Sequence, residues 1–206
     1  MKTRPLISGS VILAILFSMS CAVDASLIVN GNFEDGGSGY FSGGSSFAGW
    51  TVLGAATKTV WVGADNALWD GQGKFLDLTG GTGGSGVRSD PFATTDGQLY
   101  QVTFQAKNYS ASYPGTLYSG PAISLQASGA SREDYSSISE AGQDYTYLFM
   151  AKGPSTTLSF MELANTDNNA SWIDNVRVTA VPEPSTYLAG LSALGILGWF
   201  GRRNRR

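Results

Sequence analysis

Fourteen of the sixteen carboxylates in this 206-residue sequence lie between residues 26 and 181, and with no histidine in the chain they are the main acid–base groups there. Cys/His zinc sites and the Ser-His-Asp and Cys-His nucleophilic systems are excluded within the chain. Two carboxylates alone suffice for glycoside hydrolysis. Asp65, Asp70, Asp77 and Asp90 are available for it, but Asp in the loops of a β protein is also an ordinary turn former. Asp174 shares a phase with Val176 and Val178, so alternation predicts that it points inward. An inward carboxylate is costly unless paired, hydrogen-bonded or metal-bound. The competing reading is that it caps a turn or accepts backbone N–H groups at a bulge. Gly80–Gly84 is not a phosphate loop, because no Lys-Ser/Thr and no helix start follow it.

Aromatic side chains form a second set. Tyr109, Tyr113 and Tyr118 stud a loop of Gly, Ser and Pro; Tyr40 and Phe41 sit in another; Trp61 and Trp69 flank Gly63-Ala64-Asp65-Asn66. Flat rings beside short polar side chains suit sugars, since the C–H face of a pyranose is buried on the ring while its hydroxyls are hydrogen-bonded. At ~25 cal/mol per Å² of apolar surface one platform contributes only a few kcal/mol, so weak affinity per site is expected. Trp50, Trp61 and Trp172 are expected in the core, where Trp is usually largely buried. Tyr109, Tyr113 and Tyr118 are the ligand-binding candidates, against the alternative that they merely coat the surface.

The elements that must position these residues are strands. Tyr100, Val102, Phe104 and Ala106 alternate with Gln101, Thr103, Gln105 and Lys107, and Ile123, Leu125 and Ala127 with Ser124, Gln126 and Ser128. Tyr145, Tyr147 and Phe149 share one phase, as do Leu158 and Phe160. This is the pattern of half-buried antiparallel strands. Further strands are predicted near Leu27–Phe33, Gly49–Leu53, Thr57–Val62, Phe75–Leu78 and Trp172–Thr179. The clusters Gly36–Ser46, Gly80–Gly86, Asn108–Gly120, Gly129–Gly142 and Asn165–Ala170 separate them. About ten short strands with no helical period predict an all-β antiparallel jelly-roll sandwich over residues 26–180.

The two ends read as addresses. Lys2 and Arg4 precede the mostly apolar Leu6–Phe17, and Ala22-Val23-Asp24-Ala25 supplies small residues for cleavage after Ala25. Residues 1–25 are thus predicted to be a secretory signal peptide. Its removal takes away Cys21, the one cysteine, and with it any disulfide. In residues 181–206, Pro182-Glu183-Pro184 precedes the apolar Tyr187–Phe200 and a cluster of four arginines. Ser185–Gly201 as a helix is about 25 Å long, the lower limit for crossing a bilayer. The arginines would set the C-terminus in the cytoplasm. Between the ends, residues 26–181 carry seven Lys and Arg against fourteen Asp and Glu. A body of that sign repels nucleic acid and anionic lipid.

The Pro182-Glu183-Pro184 motif, the apolar helix and the arginine cluster, in that order, resemble the PEP-CTERM sorting signal of Gram-negative bacteria. The resemblance implies recognition by an exosortase, a membrane transpeptidase cutting near the motif. It also implies transient membrane anchoring followed by display on the cell surface or release, and a link to exopolysaccharide and biofilm production. The body is similar to galactose-binding-like jelly rolls, carbohydrate-binding modules among them. The similarity rests on Leu27–Glu34, Gly49–Val52, Phe75–Leu78, Gly97–Phe104 and Trp172–Val178. That resemblance implies first and last strands side by side, often with a structural calcium. A Ca²⁺ held by Glu34, Asp174 and backbone carbonyls would satisfy both carboxylates with hard oxygen ligands. The expected function is an exported, non-catalytic protein binding exopolysaccharide or other matrix material. A secreted glycan-active enzyme and a structural, protein-binding surface protein are the alternatives.

Overall fold

Tyr100, Val102, Phe104 and Ala106 are buried, while the residues alternating with them are only half-buried. That phase recurs in strand after strand and builds the molecule. The computed structural model describes residues 25–63, 73–79, 84–110, 121–136, 138–139, 141–163 and 169–182. Their strands are β1 Gly39–Ser42, β2 Ser46–Phe47, β3 Trp50–Leu53, β4 Thr59–Gly63, β5 Phe75–Asp77, β6 Gly86–Ser89 and β7 Phe92–Ala93. They continue as β8 Leu99–Ser110, β9 Pro121–Ala127, β10 Glu133–Ser136, β11 Gln143–Met150, β12 Ser155–Thr156, β13 Leu158–Glu162 and β14 Asn169–Ala180.

One six-stranded sheet runs β1-β4-β5-β14-β8-β11 and a second runs β10-β9-β13-β6-β3-β2; β7 and β12 form a separate pair. Every pairing is antiparallel. Inward side chains of the two sheets meet in one core. Trp50 packs on Phe33 and Phe160 at centroid distances of 5.4 and 6.3 Å, and Phe104 meets Phe160 edge-on at 5.2 Å. Among the described residues no helix is long and apolar enough to cross a membrane. The predicted signal peptide and apolar tail segment lie outside the described residues, apart from Ala25.

Three differences from the sequence expectation have physical causes. The glycine-rich clusters hide strands: β1 lies within Gly36–Ser46 and β10 within Gly129–Gly142. Backbone pairing needs no apolar side chain, so glycine and serine join a ladder wherever a neighbouring strand offers partners. Leu27–Phe33 is not a strand but a run of bends and turns in which Asn30 and Phe33 have φ of +51° and +54°. Asn30 holds that conformation through its side chain. It accepts from Asp35 N at 2.9 Å and donates to the Asp35 and Ala48 carbonyls at 3.1 and 2.9 Å. The segment still docks beside the last strand, Leu27 N donating to Val178 O at 3.0 Å and Val176 N to Gly31 O at 2.8 Å. The third difference, a bulge in β14, determines where Asp174 points.

Candidate functional site

In β14 the register against β8 pairs Asp174 with Gln105 and then Arg177 with Thr103, so one residue is extra on β14. Asn175 absorbs it with φ +51°. A bulge of this kind reverses the side-chain phase downstream. Ile173, Val176 and Val178 face the core, while Asp174 shares the outer face with Trp172, Gln105 and Arg177. The inward direction expected for Asp174 from Val176 and Val178 is therefore corrected. It is nevertheless buried, at 1% exposure.

Asp174 accepts Asn175 N at 2.6 Å on Oδ1 and Asn175 Nδ2 at 3.3 Å on Oδ2. Among the described residues no Lys or Arg forms an ion pair with it. Burial pushes its pKa up to about 7, the Asn175 N–H opposes the rise, and the charge of Glu34 adds to it. The fold thus brings the two carboxylates into one electrostatic environment although 140 positions separate them. Glu34 Oε1 accepts Lys74 N at 2.6 Å, and Lys74 Nζ donates to the carbonyls of Glu34 and Gly36, both at 2.8 Å. The Lys74 ammonium is thereby directed to carbonyls. A Cβ at Gly73 would overlap the Glu34 carboxylate, so glycine is required where that chain passes. No group of three or more Asp, Glu, His or Cys side chains gathers among the described residues. Glu34 and Asp174 both offer carboxylate oxygen, the ligand type a hard cation takes.

A second arrangement crosses the outer face of the same sheet. Successive register pairs join Tyr40 to Trp61, Trp61 to Asp77, Asp77 to Trp172 and Trp172 to Lys107. The adjacent row, Val62, Leu76, Ile173 and Ala106, points into the core. Tyr40 stacks on Trp61 with centroids 6.2 Å apart at 28°, Trp61 meets Phe75 edge-on at 5.5 Å, and Phe75 stacks on Trp172 at 4.4 Å. Lys107 Nζ lies 5.9 Å over the Trp172 ring. Phe75 and Trp172 are buried, Trp61 is half-buried, and Tyr40 is 70% exposed. Asp77 Oδ1 is held by Thr79 N and Oγ1, both at 2.7 Å.

Of the residues singled out from sequence, Trp50 and Trp172 are buried as expected, Trp172 on the outer side of its sheet, whereas Trp61 keeps an open edge. Tyr109 lies in β8 opposite Ala170 of β14, while Tyr113 and Tyr118 lie outside the described residues. So do Asp65 and Asp70. Asp77 and Asp90 are not brought together: Asp77 belongs to the first sheet and Asp90 follows β6 in the second, bonded through its N–H to Gly49 O at 2.7 Å. Of the sorting motif, Pro182 is described and exposed, while Glu183 and Pro184 lie outside. The Tyr40–Trp61 pair was missed as a unit because its partners are 21 positions apart on strands whose pairing no local pattern reveals.

No curated protein matches the sequence. Among solved structures the chain is similar to a cyclase from Fischerella sp. TAU, at 16% identity and a TM-score of 0.52, covering 74% of this chain and 95% of that one. It is also similar to an arabinose-bound α-L-arabinofuranosidase, at 12% identity and a TM-score of 0.53, over 76% of this chain and only 26% of the enzyme. A xylan-binding domain from Paenibacillus barcinonensis is similar at 16% identity and a TM-score of 0.49, over 79% of this chain and 99% of the domain. The first two likenesses place the body in the β-sandwich fold, and fold alone does not assign an activity. Residues 180–206 match the model of the PEP-CTERM protein-sorting motif, so the chain carries at its C-terminus the signal of an exported, membrane-sorted protein.

Proposed function

We propose that residues 26–180 form a non-catalytic glycan-binding module that an exosortase, acting on residues 181–206, delivers to the cell surface. Its ligand is exopolysaccharide or other matrix material of a biofilm. The observation carrying this reading is the stacked Tyr40–Trp61 pair, an exposed aromatic edge continuous with a row that also holds Asp77 and Lys107. A pyranose face stacks on such a ring, and Asp77 occupies the next position of the row after Trp61. Tyr113 and Tyr118, which follow β8 in the sequence, are proposed as further ligand-binding residues. One ring pair binds weakly, so retention depends on many copies on one surface.

A structural Ca²⁺ between Glu34 and Asp174 belongs to this reading. A buried carboxylate whose pKa burial and the charge of Glu34 raise would be stabilised in its charged form by a cation, and a metal there would tie the opening segment to the last strand. Raised carboxylates also serve glycosidases as acids, but Asp174 is too deeply buried to reach a glycosidic oxygen.

The test is retention of the purified protein on immobilised polysaccharide from the producing cells. Wild type is expected to be retarded, and Tyr40→Ala with Trp61→Ala to elute several-fold earlier while still melting cooperatively, at a temperature lowered by the lost Trp61–Phe75 contact. Equal retention of wild type and variant would move the assignment to a protein-binding surface protein.

A further inference from the structure

The exposed apolar side chains of the body gather where the chain leaves for its tail. Val181 N donates to Leu99 O at 2.9 Å, and Gln98 Nε2 holds Val181 O at 2.7 Å. On the other side of β8, Leu99 pairs with Met150 of the edge strand β11, and Gln101 pairs with both Leu148 and Thr179. Met150 is thus two strand spacings, about 10 Å, from the exit point. Leu148 and Met150 are 55% and 51% exposed, and they wall a groove of about 360 Å³ with Lys152 and the Gly129–Glu133 turn. Leu27 and Val29, exposed too, lie in the opening segment on the other flank of β14, where Leu27 bonds Val178. Of the large hydrophobics exposed among the described residues only Tyr40 stands elsewhere.

We infer that this end of the sandwich is a lipid-contacting surface, Leu148 and Met150 inserting at the headgroup level of the bilayer while the tail is still attached. The length of chain beyond Pro182 selects that occupant. Only residues 183–186 separate Pro182 from the apolar Tyr187–Phe200. The five steps from Pro182 to Tyr187 span at most about 18 Å fully extended, so the exit end cannot stand clear of the membrane that holds the tail. A surface held against headgroups gains from apolar side chains there, and the attached tail holds it there against the repulsion between anionic lipid and a body of net negative charge. The strands run away from this end towards Ser110 and Asn169, which lie at the opposite pole. The inference rests on the membrane-sorting reading of the tail.

The experiment uses the full chain with Cys21→Ser, reconstituted in phosphatidylethanolamine/phosphatidylglycerol vesicles. An environment-sensitive fluorophore is placed at Met150→Cys or, as control, at Asp144→Cys, six residues earlier on the same strand and face. The expected result is a blue-shifted Met150 probe quenched several-fold more by bromolipid than the Asp144 probe, with like spectra in detergent-free buffer after removal of Tyr187–Arg206. Vesicle-bound protein whose two probes are equally solvent-exposed overturns this inference alone. A chain that does not associate with vesicles overturns the reading of the tail and this inference with it.

Discussion

Asn175 donates its backbone N–H to Asp174 Oδ1 at 2.6 Å and, at φ +51°, takes up the extra residue that turns Asp174 to the outer face of its sheet. The carboxylate is therefore buried on the outer side of the sheet, where the charge of Glu34 helps to raise its pKa, rather than among the valines that follow it. Neutral, it is tolerated; ionised, it calls for a counter-charge.

The first prediction concerns pH and calcium together. The pKa of Asp174 is about 7 in the fold and about 4 in an unfolded chain. Between these values the folded state keeps a proton that the unfolded chain releases, so this group's contribution falls as pH rises from about 4 to 7 and is flat above. In chelator, wild type is expected to lose melting temperature between pH 5 and pH 8 relative to Asp174→Asn. Millimolar Ca²⁺ should restore it at pH 8 and act little at pH 5, where the proton competes for the site. An extracellular-type site binding at roughly 10⁻⁴ to 10⁻³ M adds about 2.7 kcal/mol at a hundredfold excess of ion. Identical melting of wild type with calcium and with chelator at pH 8 would leave Asp174 as a hydrogen-bonded structural carboxylate.

The opening segment should be sensitive out of proportion to its lack of regular structure. Asn30→Ala removes three side-chain hydrogen bonds and a residue suited to φ +51°; a loss of about 2–4 kcal/mol is expected. Gly31→Ala would drive a Cβ into the Val176 carbonyl oxygen, and should cost more than about 2 kcal/mol by prying the segment from β14. Urea midpoints measure both, and wild-type midpoints would mean that the segment is not part of the cooperative unit.

Glycan binding should divide between two places. Trp61→Ala removes the half-buried ring beneath Tyr40 and is expected to weaken polysaccharide retention more than Tyr40→Ala, since it also loosens the edge contact with Phe75. Tyr113→Ala is expected to weaken retention without changing stability, as loop positions carry little core packing. Affinity electrophoresis in polysaccharide gels reads all three, and a wild-type shift for Tyr113→Ala would confine the surface to Tyr40 and Trp61.

Deleting Tyr187–Arg206 removes the apolar segment and the arginine cluster and leaves Pro182-Glu183-Pro184 in place. The truncated protein is expected in the medium without passing through the membrane fraction, whereas the intact chain should partition with membranes before processing. Fractionation with an antibody to the body follows both forms. Intact, uncut protein found soluble in the cytoplasm would contradict the assignment.

What was legible in the sequence was what a few neighbouring residues can encode. The alternation of Tyr100, Val102, Phe104 and Ala106 announced an all-β sandwich because period two is a local property of extended chain. The order of Pro182-Glu183-Pro184, apolar run and arginines announced the sorting signal because such a signal is read as a linear segment. Only the tertiary structure decided the rest. A single bulge at Asn175 reversed the phase of Asp174, because pairing with β8, not the pattern of β14, determines which residue is extra. Asn30 turned an apparently extended opening into turns because its side chain found Asp35 and Ala48. The Tyr40–Trp61 edge and the approach of Glu34 to Asp174 join residues distant in sequence. Their closeness comes from cross-strand hydrogen bonding and the meeting of the chain's two ends at β14, which no short window of residues contains.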